Sequence, residues 1–245
     1  MSASPLVSCL CVTLGRPRLL ERAIKCFRGQ RYPEKELVIV YEGFDGPTKD
    51  FLAGVGDPNI VKIEAPADTP LTLGALRNAA VSACSGEYFS QWDDDDYSHP
   101  ERIAFQMDVI AQSGLPASIL MQWLIFDEKE GRAYLSHRRP WEGSLVCRKS
   151  LLRDGDGVGY GDLKTGEDTP VVRNLFSRGL VFPVIMPRLY IYTWHGGNVW
   201  SRDHWESIFA SSRPLSDESS RLIRGILGGD YDTGEAAGIL DELTD

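Results

Sequence analysis

The first hundred positions alternate between apolar runs and helical repeats. Residues 6–13, 36–41 and 60–63 are apolar and β-prone, the pattern of strands buried in a sheet. Between them, residues 18–30 place Leu19, Leu20, Ala23, Ile24 and Phe27 at helical spacing, and residues 47–55 suit a short helix. Residues 73–83 predict another helix, and residues 87–92 a fourth strand. Strands that alternate with helices imply an α/β fold, with a mostly parallel Rossmann-like sheet flanked by helices. In such sheets ligands bind beyond the carboxyl ends of the strands. Polar clusters at residues 13–16, 42–45 and 93–96 all fall on that rim.

The second half has a different rhythm. Residues 101–113 predict a helix, and residues 117–127 and 132–137 two strands joined as a hairpin around 128–131. Residues 145–148 are strand-like and lead into a short helix. Residues 154–166 hold five glycines in thirteen positions and predict a mobile loop that could close over bound substrates. A helix over 168–179 and strands over 180–185 and 189–193 follow, and a small second sheet is expected in this half. From residue 202 the chain is helical, with breaks near Pro214 and Gly228. The expected organisation is one globule over 1–200, with a first half at 1–100 and a second at 101–200, followed by a helical extension at 201–245.

Composition narrows the function. The chain has 245 residues, 42% hydrophobic and 25% charged, as expected of a soluble globular protein. A formal charge of −9 argues against nucleic acid as a partner, which would require a basic surface. The stretch 229–245 carries six acids and no base, and is expected to be a solvated helix or a frayed end. Cys9, Cys11, Cys26, Cys84 and Cys147 are scattered without a CxxC pair, which predicts reduced thiols and a cytoplasmic protein. No apolar run is long enough for a transmembrane span, so membrane contact would have to be peripheral.

The chemistry concentrates at Asp93, Asp94, Asp95 and Asp96. Two unit charges about 4 Å apart cost roughly 4 kcal/mol at a surface-like dielectric. A divalent cation such as Mn²⁺ or Mg²⁺ removes that cost, and these hard ions bridge carboxylates to phosphates. If the run is extended, Asp93 and Asp95 face one side, and Asp94 and Asp96 the other. Glu167-Asp168 is a second acidic pair after the glycine-rich loop; acids also favour a helix's first turn, so the pair alone does not choose between chemistry and structure. His195, flanked by Gly196 and Gly197, lies in a loop whose backbone can approach a ligand closely. Trp141 is a candidate stacking surface, and six Lys or Arg residues against one acid between Arg132 and Arg153 form either a solvated face or a surface for an anionic acceptor.

Together these segments resemble glycosyltransferase family 2, whose members share the GT-A fold. The string Gly86-Glu87-Tyr88-Phe89-Ser90-Gln91-Trp92-Asp93-Asp94-Asp95-Asp96 looks like the family's D-x-D region. Leu37-Val38-Ile39-Val40-Tyr41-Glu42-Gly43 sits where the family has V-D-D-G, and Glu42 departs from the usual Asp by one methylene. Leu73-Gly74-Ala75-Leu76-Arg77-Asn78-Ala79 resembles G-x-x-x-A-R-N, Glu167-Asp168 resembles its E-D motif, and His195 with Asn198 resembles H-x-x-N.

The resemblance implies a metal-dependent inverting transferase acting on a nucleoside-diphosphate sugar, with a UDP-sugar favoured. The acceptor would be a glycan or a lipid-linked hydroxyl, in surface polysaccharide synthesis, with the enzyme in the cytoplasm or at the inner membrane face. It assigns Thr13, Arg16, Glu42, Arg77, Asp93 and Asp94 to the donor and Asp95 and His195 to Mn²⁺ or Mg²⁺. Asp168 would be the general base, and Trp141 and Glu167 acceptor contacts. Asp96 is expected to cap the helix that follows. A sugar nucleotidyltransferase and a non-catalytic sugar-nucleotide or glycan-binding module are the alternatives.

Overall fold

The computed structural model describes residues 4–66, 68, 70–153 and 159–244. The first half alternates as its apolar pattern predicts: β1 (Val7–Val12), α1 (Pro17–Arg28), β2 (Lys35–Glu42), α2 (Gly46–Ala53), β3 (Ile60–Ala65), α3 (Leu73–Ala83) and β4 (Tyr88–Gln91). There follow β5 (Tyr97–Ser98), α4 (Arg102–Ser113), β6 (Ala117–Leu120), β7 (Leu124–Asp127), β8 (Arg132–Leu135), β9 (Val146–Arg148) and α5 (Ser150–Arg153). The remainder is α6 (Thr169–Ser177), β10 (Val181–Val184), β11 (Tyr190–Trp194), α7 (Arg202–Ala210), β12 (Arg213–Pro214), α8 (Asp217–Gly228) and α9 (Thr233–Thr244).

Seven strands form the main sheet in the order β10-β6-β9-β4-β1-β2-β3. β1 pairs in parallel with both β2 and β4, while β9 runs antiparallel between β4 and β6. The chain therefore leaves β1 in one direction, through β2 and β3, and returns on its other side as β4. That reversal is a topological switch point, where the strand ends splay and leave a crevice. Thr13 follows β1 and Asp93 closely follows β4, so the two polar clusters flank the crevice.

The expected single strand over 117–127 is two strands in different sheets. β6 lies in the main sheet and β7 in a five-stranded second sheet of order β12-β8-β7-β11-β5. Both pieces are fully buried, so the hydrophobic pattern carries no mark of the bend. The β7–β8 hairpin forms as expected. Much of the 154–166 loop, residues 154–158, lies outside the described residues. The 229–245 stretch is more than a solvated end: Ala236, Ala237 and Leu240 of α9 are buried, and Asp241 pairs with Arg188 at 2.6 Å. All five cysteines are buried free thiols.

Asp96 does not cap a helix. Its carboxylate accepts from the Tyr190 hydroxyl at 2.6 Å and the Thr193 amide at 2.8 Å, so it fastens the turn after β4 to β11. Arg102 makes a second join. Fully buried, its guanidinium donates to Ser98 Oγ at 2.8 Å, to the Gln91 carbonyl at 2.9 Å and to the Gly143 carbonyl at 3.3 Å. It also lies 4.8 Å from the Tyr190 ring centroid. Replacing Arg102 by Leu would strand those acceptors in the interior. Arg102→Leu is expected to lower the unfolding free energy by about 3 kcal/mol in urea denaturation; an unchanged midpoint would mean that the two sheets are held together elsewhere.

Candidate active site

The acidic run is a turn, not an extended strand, and this changes which carboxylates share a face. Asp93, Asp94 and Asp95 line one cavity of about 240 Å³ together with Arg16, Arg77, Glu142, Glu167, Asp168 and Asn198; Asp96 points away into the second sheet. The predicted alternation fails because it needs straight β geometry, and tight turning brings neighbouring side chains to one side.

The charges in this turn are offset from within the chain. Arg16, just before α1, forks across two carboxylates, at 2.7 Å from Asp94 and 3.0 Å from Asp95. Asp94 also accepts from the Thr13 hydroxyl at 2.6 Å. Burial, and then the neighbouring Asp95, push the Asp94 carboxyl up to about 7 despite Arg16. Burial would raise Asp95 as well, but its hydrogen bond from His195 and the Arg16 guanidinium outweigh that and hold it below the usual carboxylate range. Arg22 of α1 donates to the backbone carbonyl of Asp95.

Arg77 is buried, not a surface helix residue. Its Nε lies 2.6 Å from Glu167 and its Nη2 2.9 Å from Asp93, so it bridges the two acidic motifs. Burial raises the Glu167 carboxyl even so. The bridge depends on Gly74: a Cβ there would fall 1.7 Å from the Gly161 carbonyl oxygen, so only glycine lets α3 lie against the loop that leads to Glu167.

Asp168 sits at the N-terminus of α6, yet its side chain does not cap the helix. Instead it accepts from Gln91 Nε2 at 3.2 Å and lines the cavity. His195 Nε2 is 3.2 Å from Asp95 Oδ2, and Asn198 Nδ2 is 3.3 Å from the same oxygen. Glu42 is buried at the end of β2, accepts from the Leu71 amide at 2.7 Å and stands outside the cavity wall. Trp141 is in the wall, but it is 1% exposed, stacked on Trp123 at 4.7 Å, with the Arg139 guanidinium 4.1 Å from its ring.

Several wall residues are absent from the sequence reading. Glu142 follows Trp141, pairs with Arg139 at 3.3 Å and accepts from Thr169 at 3.3 Å; burial raises its carboxyl. Gln91, the last residue of β4 and two before Asp93, is buried outside the wall and holds Asp168 from there. Arg139 carries no motif, and Trp200 ends the segment that holds His195 and Asn198.

A divalent cation fits this donor set in part. Among the described residues no three His, Cys, Asp or Glu side chains converge as a ready-made metal centre. Asp95 and His195 do converge, and 3.2 Å is close to the roughly 3 Å expected between adjacent ligands of an octahedral ion bound at about 2.1 Å. Mg²⁺ and Mn²⁺ sites commonly take few protein ligands and complete the shell with water and phosphate oxygens.

Arg77→Met would leave the buried Glu167 and the half-buried Asp93 without their cation. A loss of roughly 3–5 kcal/mol near neutral pH is expected. Glu167 would then be held even further above its unfolded value of about 4.3, so the folded state would keep a proton that the unfolded state releases, and the variant would regain stability as the pH falls from about 7.5 to 5.5. Chemical denaturation at both pH values measures this; a penalty that does not shrink at low pH would exclude the ion-pair account.

Comparison with known proteins shows the fold and the family. A putative colanic acid biosynthesis glycosyl transferase, WcaA of Escherichia coli K12, is 32% identical over 106 residues, which is 42% of this chain and 37% of that protein. The chain thus aligns to little more than a third of this relative's length. The fold resembles that of S. aureus TarS 1–349, solved in complex with UDP-GlcNAc, with a TM-score of 0.64, 16% identity and coverage of 97% of this chain and 71% of that one. It also resembles mannosyltransferase PcManGT from Pyrobaculum calidifontis, solved with GDP-Man and Mn²⁺, with a TM-score of 0.63, 14% identity and coverage of 99% and 74%. The model of glycosyl transferase family 2 matches residues 8–160, across the switch point, the acidic turn and the Arg77 helix, and the chain belongs to that family.

Proposed function

We propose that the chain transfers a sugar from a nucleoside diphosphate to an acceptor hydroxyl, with inversion at the anomeric carbon. The observation that carries this reading is the placement of Asp168: it lines the same cavity as Asp93, Asp94 and Asp95, and it leaves its own helix uncapped. A carboxylate that does not cap its own helix and lines one cavity with an acidic turn suits a general base that takes the acceptor's proton. One displacement by that hydroxyl breaks the bond to the diphosphate and inverts the sugar.

The donor side belongs to residues 1–100. Thr13, Arg16, Asp93 and Asp94 would hold the ribose and sugar, and Arg77 would set Asp93 while its charge faces the diphosphate. Glu42 would act from behind the wall by fixing the Leu71 backbone. Asp95 and His195, with Asn198 beside them, would hold Mn²⁺ or Mg²⁺. When bound, that ion would neutralise the departing diphosphate. The excess of carboxylates over arginines around the cavity supports a cationic guest. A UDP-sugar is the favoured donor.

Residues 101–200 would supply the acceptor side, with Glu167 orienting Arg77 and Trp141 forming its floor. The acceptor would be a glycan or a lipid-linked glycan in surface polysaccharide synthesis, met in the cytoplasm or at the inner membrane face. No helix among the described residues is long and apolar enough to cross a membrane.

Asp168→Asn should keep donor binding and lose about 10²–10⁴-fold in transfer, the usual contribution of a general base. Asp95→Asn should instead weaken nucleotide binding measured with Mn²⁺. Calorimetric donor binding combined with nucleoside diphosphate release separates the two roles; a normal transfer rate in Asp168→Asn would overturn the assignment of the base.

A further inference from the structure

Of the six tryptophans, five are 6% exposed or less, and only Trp200 is open, at 39%. Leaving a large indole in water forgoes the stabilisation that burying it would bring. The exposed ring is also not on a remote surface. Trp200 lines the same cavity as Asp168, on the segment between β11 and α7. It stacks on His204 with centroids 4.3 Å apart and planes at 20°. Its edge lies over Gly166, two residues before Asp168: a Cβ at Gly166 would sit 3.7 Å from Trp200 Cη2 and Cζ2. Neighbouring Val199 is 57% exposed and shares the cavity wall. Trp123 and Trp141, the other indoles in the cavity wall, have no open face.

We infer that Trp200, backed by His204, is the platform on which a sugar ring of the acceptor stacks, which makes the acceptor a carbohydrate at its reacting end. The inference rests on the proposed transferase reading and adds the residue that receives the acceptor's reacting ring. The apolar C–H face of a pyranose matches an exposed indole face, while its hydroxyl edge would be turned towards Asp168. An aliphatic alcohol or the hydroxyl of a serine or threonine offers no comparable flat ring.

The test uses the full chain with UDP and MnCl₂ and, as probes, the methyl glycosides of glucose, galactose, mannose and N-acetylglucosamine. Acrylamide quenching of tryptophan fluorescence should show one accessible component that is absent in Trp200→Phe. At least one glycoside should shield that component in the native protein. Ligand-observed NMR should show its affinity reduced about tenfold in Trp200→Ala, with Trp200→Phe between the two. If nucleoside diphosphates raise the melting temperature but no glycoside shields Trp200, or Trp200→Ala binds the glycoside as tightly as the native chain, the platform is wrong and the donor reading stands. If no nucleoside diphosphate shifts the melting temperature with Mn²⁺, the transferase reading fails, and this inference fails with it.

Discussion

Everything at the site depends on keeping adjacent carboxylates close together at the end of β4. Left alone they would repel each other and take up protons. The fold brings guanidinium groups to them from separate elements, Arg16 from the turn after β1 and Arg77 from α3, while Arg22 from α1 holds the turn by the Asp95 carbonyl. Asp96 is handled differently, by neutral donors on β11. The acidic turn is therefore a joint between the two sheets as well as a binding surface. Its geometry cannot relax without loosening β1, α3 and β11 together.

The same constraint explains why the cavity has two sides. The switch point between β1 and β4 supplies the donor half by topology, and any sequence folding this way would open a crevice there. The other half is built from loops on the second sheet, around Trp141, Glu142 and Asn198. Arg77 links them by holding Asp93 with one nitrogen and Glu167 with another. A change at either acidic motif is thus felt at the other.

Much of this was readable from the chain. Buried strands and amphipathic helices announce themselves by period, so β1 to β4 and their helices lie within a residue or two of expectation. The acidic runs and His195 stood out as polar groups in turns and loops, and Arg77 through the motif that residues 73–79 resemble. What escaped was set by contacts distant in sequence. The bend between β6 and β7 leaves no trace, since both strands are buried. Asp96 was misread because Tyr190 lies 94 residues away. The alternation of Asp93 to Asp96 failed because a turn abolishes period two. Burial of aromatics is a property of the assembled fold, so nothing local separates the enclosed Trp141 from the open Trp200.

The central claim is that the acidic turn receives a nucleoside diphosphate together with a divalent cation. The most direct measurement is isothermal titration of the purified chain with UDP, GDP, CDP and dTDP, each with and without Mn²⁺. The account predicts saturable binding of one nucleotide, UDP first among them, that depends on Mn²⁺. Binding that is the same without the ion would remove the cation from the account, and the absence of binding by all four would contradict the claim itself.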